Sequence, residues 1–284
     1  MSDTILLAAG GTGGHLFPAQ ALAQELKSRG WELHLATDTR GTRYTDAFPG
    51  EAVHVVPSAT FGSKNPIALA KSAWKLWQGL RAAGRVVRAI SPKAAVGFGG
   101  YPSLPPMFAA NRTGVPLVLH EQNAVLGRAN SLLAGRAAAV AAGFPSEKLP
   151  QGTVITGNPL RPQIHELLDR DQSYRPSEQG DEFHLLVIGG SQGAQFFGEA
   201  IPAAVAALAE HHRARLRLTL QAREEQLEQA KAALQATGIE AEVAPFFDRM
   251  GERLAKAHLM ISRAGASTVS EVAAMGLPSI LVPY

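Results

Sequence analysis

The chain has 284 residues, of which 46% are hydrophobic and 18% charged, and its formal net charge is +3. This composition excludes a disordered chain, and the absence of cysteine excludes a disulfide framework or a thiolate metal site. No apolar run approaches the roughly 20 residues of a membrane-spanning helix, and the N-terminus lacks the basic segment of a signal peptide. These properties fit a cytoplasmic enzyme of two domains.

The first half of the chain alternates predicted strands and helices, and a glycine-rich turn follows its first strand. An apolar strand at 4–9 leads into Gly10-Gly11-Thr12-Gly13-Gly14-His15, and a helix is predicted over 17–29. Such a turn needs bare backbone or positive φ, and it aims amide N–H groups and the positive end of a helix dipole at one point. This arrangement is typical of a phosphate or diphosphate site. The further strands are predicted at 32–36, 52–56, 94–98, 115–120 and 137–142.

A second glycine-rich turn stands at the equivalent place in the second half. Gly189-Gly190-Ser191-Gln192-Gly193-Ala194 follows an apolar strand at 184–188, and two such half-sites are predicted to face each other across a cleft. Repeated strand–helix units predict parallel sheets with helices on both faces, and ligands beyond the carboxyl ends of the strands. The remaining elements are strands at 215–220, 240–244, 258–261 and 279–282 and helices at 193–210, 224–237 and 266–275.

Charge is distributed unevenly along the chain. Residues 1–157 hold 15 Lys and Arg against 8 Asp and Glu, whereas residues 158–284 hold 12 against 16. The segment 62–93 contains no acidic residue. Its basic members are Lys64, Lys71, Lys75, Arg81, Arg85, Arg88 and Lys93, and Ile67, Leu69, Trp74, Leu76, Trp77 and Leu80 are interleaved with them. One interpretation is contact with an anionic membrane surface; the other is an ordinary surface helix whose Trp and Leu side chains face the core.

Other nucleotide-binding and metal-binding classes fail on their motifs. The dinucleotide pattern Gly-x-Gly-x-x-Gly is broken in both turns, because Leu16 replaces its third glycine in the first turn and Ser191 its second glycine in the second turn. Asp38 does stand where the ribose-binding acid of that pattern would lie. No P-loop is present, and His120-Glu121 lacks the second histidine of a zinc site. Asp169-Arg170-Asp171 falls in a polar stretch, 157–181, that has the composition of a linker. The sequence predicts no metal ion and no cofactor, and it lacks the motifs of a nucleic-acid-binding protein.

Six motifs occur in an order that resembles one enzyme family. They lie at 10–15, 99–103, 120–123, 157–161, 189–194 and 262–271. Together they resemble the MurG family of bacterial N-acetylglucosaminyltransferases over essentially the whole chain. The resemblance implies an α/β GT-B fold, in which two Rossmann-like domains with parallel sheets face each other across a cleft. The domains are expected at 1–157 and 183–284, joined by a linker at 158–182.

The resemblance also implies an activity and a location. The family moves N-acetylglucosamine from UDP-N-acetylglucosamine to the 4-hydroxyl of the muramyl sugar of lipid I, with inversion and without a metal, to give the lipid II of peptidoglycan synthesis. The first domain would bind lipid I, and the second would bind the donor. The family lies peripherally on the cytoplasmic face of the bacterial plasma membrane. It continues beyond the point matching Tyr284, so we expect the chain to lack a glutamine that contacts the transferred sugar and a terminal helix.

An inverting displacement needs a base for the attacking hydroxyl and a means of stabilising charge on departing UDP. His15, at the start of the first helix, is the predicted general base, and the alternative is that it caps the helix or binds phosphate. The resemblance implies that the following residues bind the donor: Thr12, Gly13, Gly14, Asn123, Arg161, Ser191, Gln192, Gly193, Phe247, Ala266, Ser267, Thr268, Val269, Ser270 and Glu271. In this set Arg161 offsets leaving-group charge, Phe247 packs against uracil and Glu271 binds the ribose. The first turn also suits the lipid diphosphate.

Two other classes of function stay open at this point. One is a GT-B transferase that uses a different lipid or natural-product acceptor. The other is a non-catalytic module that binds a nucleotide sugar without turnover. Transfer to a lipid I analogue distinguishes both from the family activity.

Overall fold

The computed structural model describes residues 3–46, 48–59, 65–169, 174–178, 180–190 and 193–283. The chain forms two compact units, Met1–Arg161 and Pro162–Tyr284, and each has its own parallel sheet. None of the described helices is long and apolar enough to cross a bilayer.

The first unit is built on seven parallel strands. The strands are β1 (Thr4–Ala8), β2 (Glu32–Thr37), β3 (Ala52–Val55), β4 (Ala94–Gly97), β5 (Leu117–Glu121), β6 (Ala139–Ala142) and β7 (Val154–Ile155). The helices are α1 (Gly13–Ser28), α2 (Pro66–Ile90), α3 (Leu104–Arg112) and α4 (Arg128–Leu133), with 3-10 turns at Thr42–Tyr44, Tyr101–Ser103 and Ala134–Arg136. The order β3-β2-β1-β4-β5-β6-β7 reverses direction between β1 and β4. Ligands of open parallel sheets bind at such a switch point.

Strand β1 shows why this unit folds as a sheet covered on both faces. All of its residues are buried, as expected of an interior parallel strand. Because side chains alternate along a strand, Leu6 packs into the core cluster of Met107, and Leu7 packs on the other face with Leu16 and Leu35. Two apolar layers therefore hold the loops at the carboxyl ends of the strands.

The second unit repeats the same plan with five parallel strands. The strands are β8 (Phe183–Ile188), β9 (Leu216–Gln221), β10 (Glu240–Ala244), β11 (Leu259–Arg263) and β12 (Ser279–Val282). The helices are α5 (Pro162–Asp169), α6 (Gln195–Ala206), α7 (Glu210–Arg213), α8 (Leu227–Gln235), α9 (Met250–Lys256) and α10 (Ala266–Ala274), with a 3-10 turn at Glu224–Gln226. The order is β10-β9-β8-β11-β12, which places the switch point between β8 and β11.

The structure differs from the sequence expectations at two places that matter for the site. Helix α1 begins at Gly13 and not at Phe17, because the glycine turn itself supplies the first helical turn. The predicted linker contains α5, which buries Ile164 and Leu167 in the second unit. The two apolar side chains are three positions apart, a helical spacing too short to stand out in a stretch rich in proline and charge.

Candidate functional site

The first glycine turn joins β1 to α1 and is held by a buried carboxylate. Asp38 Oδ1 accepts hydrogen bonds from the amides of Gly11 at 3.2 Å and Gly41 at 3.1 Å. Gly11 has φ +85°, a conformation that side chains rarely adopt. Asp38 therefore anchors the turn and does not serve as the ribose-binding acid of a dehydrogenase. Arg40, whose Nε donates to Asp38 Oδ2 at 2.7 Å, lies beside the turn and was not singled out from the sequence.

Helix α1 presents its first backbone amides at this turn. Thr12 is the N-cap residue, and its side chain makes no capping hydrogen bond. The first amides of a helix have no partner within the helix, so those of Gly13 and Gly14 are available to an anion. The predicted contacts of these three residues with a diphosphate stay predictions, and the geometry suits them.

His15 lies in the first turn of α1 and contacts the loop after β5. Its Nδ1 is 3.0 Å from Gln122 Oε1, and Gln122 Nε2 is 3.2 Å from His120 Nδ1. The other ring nitrogen of His120 is 3.1 Å from the carbonyl oxygen of Gly157. Gln122 also receives a hydrogen bond on its own carbonyl from Asn158 Nδ2 at 3.1 Å. Three sequence motifs thus meet at one place.

The burial of His120 makes the stability of the first unit depend on pH. Desolvation lowers the pKa of this imidazole below its ordinary value of 6.5, against smaller opposing effects of Gly157 and Glu121. The unfolded chain therefore binds more protons below pH 6.5, and the free energy of unfolding falls as pH drops through that value. We expect His120→Gln to lose part of this pH dependence, measured by urea unfolding at several pH values. His54, whose pKa burial also lowers, retains its own contribution in that variant.

Glu121 organises the loop that carries Asn123. Its Oε1 accepts from the Asn123 backbone amide at 3.1 Å and from Asn123 Nδ2 at 2.9 Å. Its Oε2 accepts from Gly127 N and from Asn130 Nδ2, both at 2.9 Å. These bonds leave the exposed Asn123 with its side-chain oxygen as the group that can bind a ligand.

Arg161 ends the first unit and stacks on the helix that carries His15. Its guanidinium lies 5.2 Å from the centre of the Phe17 ring, in a cation–π contact. The predicted role of Arg161 on the leaving group stays a prediction. The sequence did not indicate that the Arg161 side chain also contacts α1.

The second glycine turn joins β8 to α6 and is as tightly built as the first. A Cβ atom at Gly189 would lie 2.0 Å from the Ala194 nitrogen, so only glycine fits there. The predicted donor residues Ser191 and Gln192 lie outside the described residues. The Gly193 amide donates to Gly190 O at 3.1 Å and so closes the turn, and the predicted contact of Gly193 with the donor stays a prediction.

Gln221 and Arg223, at the end of β9, were missed by sequence analysis. The buried Gln221 accepts from the Gly189 amide at 2.9 Å and donates to Pro245 O at 3.0 Å, and so joins the glycine turn to the loop after β10. The Arg223 side chain passes 3.2 Å from the position of a Cβ on Gly193. Its buried Nε has no hydrogen-bond partner among the described residues. The only signal for both was their place after a strand.

The loop after β10 corrects the expectation for Phe247. Phe247 is 6% exposed and its ring lies 4.4 Å from the Arg253 guanidinium, so little of the ring is accessible to a base. Arg253 is fixed in turn by Glu242, with contacts of 2.5 and 2.9 Å. The neighbouring Phe246 is 56% exposed and was not predicted. Sequence alone does not distinguish two adjacent phenylalanines that point to opposite sides.

Helix α10 begins beside the second glycine turn, because β11, which precedes α10, pairs with β8, which precedes the turn. Gly265 is the N-cap residue and makes no side-chain capping bond. Residues 266–270 are half-buried and Glu271 is buried. The Ser270 hydroxyl donates to the Ala266 carbonyl at 3.0 Å, so it is engaged within the helix. The predicted donor contacts of Ala266, Ser267, Thr268, Val269, Ser270 and Glu271 stay predictions.

Helix α2 shows which way the aromatic side chains of the basic segment point. Trp74 and Trp77 are 59% and 45% exposed, and their rings stack at 4.8 Å. The core-facing residues of this helix are Ala83 and Val87. The expectation that the Trp side chains face the core is therefore wrong. Lys71, Lys75, Arg81, Arg85 and Arg88 are exposed on the same helix, whereas Lys64 lies outside the described residues.

Family models match both units. The model of the glycosyltransferase family 28 N-terminal domain matches residues 5–142, and that of the C-terminal domain matches residues 184–284.

Among the described residues, no cluster of three or more His, Asp or Glu side chains is placed to hold a metal ion.

Curated relatives match the chain over nearly its whole length. A protein of Rhizobium etli is 54% identical over 99% of this chain and 75% of its own length. A protein of Sinorhizobium fredii is 57% identical with the same coverage. Both are named UDP-N-acetylglucosamine--N-acetylmuramyl-(pentapeptide) pyrophosphoryl-undecaprenol N-acetylglucosamine transferase.

Solved structures share the fold. MurG of Acinetobacter baumannii superimposes with a TM-score of 0.72 at 28% identity, over 99% of this chain and 78% of that one. A glycosyltransferase of kitacinnamycin, at 16% identity and a TM-score of 0.71, covers 100% of this chain and 81% of its own. The predicted fold class, α/β of the GT-B type, is confirmed.

Proposed function

The chain belongs to glycosyltransferase family 28, and we propose that it transfers N-acetylglucosamine from UDP-N-acetylglucosamine to the 4-hydroxyl of the muramyl sugar of lipid I. The names of the relatives support the substrates. The structural observation that carries the chemistry is His15 in the first turn of α1. Its Nδ1 is engaged by Gln122, and its Nε2 has no hydrogen-bond partner among the described residues.

The reaction is a single displacement at the anomeric carbon of N-acetylglucosamine. His15 Nε2 takes the proton of the acceptor hydroxyl while the hydroxyl oxygen forms a bond to C1 of N-acetylglucosamine. The bond from C1 to the diphosphate oxygen breaks, and its electron pair leaves with UDP. The amides of Gly13 and Gly14 bind a diphosphate, either that of the donor or that of lipid I.

The second unit binds the donor through charge placed beside its glycine turn. The Arg223 side chain lies against Gly193 of this turn, and it is half-buried and keeps one N–H without a partner among the described residues. A guanidinium there neutralises the diphosphate as the sugar leaves. Gln221 keeps the loop of Phe246 and Phe247 in place for the uracil base.

We expect Arg223→Gln to raise the Kd for UDP-N-acetylglucosamine by about 10-fold to 100-fold, because a hydrogen bond to a charged group contributes roughly 1.5–3 kcal/mol. Isothermal titration calorimetry measures this directly. Lys231→Gln, an exposed substitution on α8 of the same unit, serves as the control and leaves the Kd unchanged. An unaltered Kd in Arg223→Gln removes this residue from the donor site.

The proposal extends to a peripheral position on the cytoplasmic face of the plasma membrane. The exposed pair Trp74 and Trp77 lies on the same helix as five exposed basic side chains, and Arg81 contacts the Trp77 ring at 4.8 Å. An amphipathic helix that combines exposed aromatic rings with basic groups suits the interface of an anionic bilayer.

Neutralising part of this surface should weaken binding to anionic vesicles. Each Lys near such a surface contributes about 1 kcal/mol, so Lys71→Gln/Lys75→Gln should bind roughly 30-fold more weakly. Co-sedimentation with phosphatidylglycerol vesicles gives the partition constant, and zwitterionic vesicles show the binding that does not depend on charge. The matched double variant Lys231→Gln/Lys256→Gln changes the same net charge on the second unit. If both variants lose binding equally, α2 has no special part in it.

The function is tested by incubating the chain with labelled UDP-N-acetylglucosamine and a lipid I analogue. We expect label in the lipid product together with an equimolar release of UDP. Binding of the donor without transfer would favour the non-catalytic module. Transfer to another lipid or natural-product acceptor, but not to lipid I, would favour a different GT-B transferase.

A further inference from the structure

One line of hydrogen bonds runs through the first unit from a backbone carbonyl to His15. It passes from Gly157 O to His120, then through the side chain of Gln122 to His15 Nδ1, with distances of 3.1, 3.2 and 3.0 Å. His120 and Gln122 are 6% and 2% exposed. Because water is nearly excluded there, each group depends on the others for its hydrogen bonds.

Backbone carbonyls decide which atom donates at each step of this line. Gly157 O can only accept, so Nε2 of His120 carries the hydrogen. Desolvation lowers the pKa of His120, so its ring is neutral and its Nδ1 accepts. Gln122 Nε2 is 3.0 Å from the His120 carbonyl oxygen as well, which identifies it as the donor of the amide. Its Oε1 therefore faces His15 as an acceptor, and Nδ1 of His15 must carry a hydrogen.

We propose that His120 and Gln122 are positioning residues that hold His15 in the tautomer with hydrogen on Nδ1, so that Nε2 is the proton acceptor of the ring. The tautomer itself is independent of the substrate. Its use in catalysis rests on the proposed function. The Gly157 carbonyl, 37 residues along the chain from His120, thereby sets the state of a ring on a different element.

Packing fixes the ring plane as well as the tautomer. A Cβ on Gly100 would lie 3.2 Å from His15 Cδ2, and one on Gly99 would lie 3.6 Å from His15 Cε1. The backbone after β4 therefore lies against the His15 ring. Both glycines have positive φ, so the close approach and the turn require the same residue type.

The first test uses the unaltered chain and requires no activity. Histidine labelled with ¹⁵N gives long-range ¹H–¹⁵N correlations that report which ring nitrogen carries hydrogen. We expect His15 to be protonated on Nδ1 alone and His120 on Nε2 alone near neutral pH, with assignments from His15→Gln and His120→Gln. A His15 ring protonated on Nε2 overturns the proposal. This result stands whether or not the transferase assignment holds.

The second test breaks the line at its centre. Gln122→Met keeps the length of the side chain and removes both the amide oxygen and the amide NH2 group. We therefore expect His15 to populate both tautomers. Loss of one net hydrogen bond of about 1–1.5 kcal/mol corresponds to a fall in kcat on the order of 10-fold, with KM for both substrates nearly unchanged. Gln226→Met, a buried glutamine of the second unit, is the matched control. An unchanged His15 tautomer in Gln122→Met overturns the proposal, whereas a changed tautomer with an unchanged kcat overturns only the use of that tautomer in catalysis.

Discussion

Replacement of His15 by glutamine should lower kcat by about 10²-fold to 10⁴-fold, the contribution that a general base makes to a proton transfer. The residue lies in the first turn of α1, and its Nδ1 is held by Gln122. The variant loses the group proposed to accept the hydroxyl proton, whereas the backbone amides of the turn are retained. We therefore expect KM for both substrates to change little, as measured by steady-state transfer to a lipid I analogue.

The control for this variant is an exposed histidine of the second unit. His165 is exposed on α5, so His165→Gln should retain the activity of the unaltered chain. Calorimetric titration with UDP-N-acetylglucosamine shows that the donor site of His15→Gln is intact. A fall in activity of less than threefold, with donor binding preserved, would mean that His15 caps the helix or binds phosphate instead of removing a proton.

Replacement of Glu121 by leucine should lower the free energy of unfolding of the first unit by about 2–4 kcal/mol, because several donors lose their acceptor at once. Among them is the side-chain amide of Asn130, which is 1% exposed and donates to Glu121 Oε2 at 2.9 Å. Urea unfolding followed by tryptophan fluorescence measures the change. All three tryptophans, Trp31, Trp74 and Trp77, lie in the first unit, so the signal reports on that unit alone.

Glu147 provides the comparison for Glu121, since it is an exposed acid of the same unit. Glu147→Leu should change the free energy of unfolding by less than about 0.5 kcal/mol. Equal effects of the two substitutions would show that the Glu121 hydrogen bonds do not stabilise the loop of Asn123. In that case Glu121 would have to act on a substrate, contrary to its observed partners.

The parts of the fold that sequence analysis predicted well are those with strong local signals. Buried apolar runs such as β1 and β8 followed by glycine turns identified the parallel sheets and the strand ends where the site lies. The short helices α3, α4, α5 and α9 were not predicted. Each has nine residues or fewer, and proline or polar residues interrupt the apolar period that would reveal it.

The site was harder to predict where residues act through contacts distant in sequence. Gln122 was not among the predicted site residues, and its link to His15 spans 107 positions. Arg40 and Arg223 stand beside the two glycine turns only because β2 pairs with β1 and β9 pairs with β8. The burial of the Phe247 ring and the turn hydrogen bond of the Gly193 amide were hard to predict for a related reason. Sequence identifies the loop, but side-chain direction and turn hydrogen bonds decide which groups face outward.

The measurement that tests the account most directly is the structure of the lipid-linked disaccharide formed by this chain. We predict that NMR of the product shows N-acetylglucosamine attached to the 4-position of the muramyl sugar with β configuration. This is the outcome of one displacement assisted by His15, starting from an α-linked donor. An α linkage, or attachment at another hydroxyl, would contradict the proposed arrangement of base and leaving group.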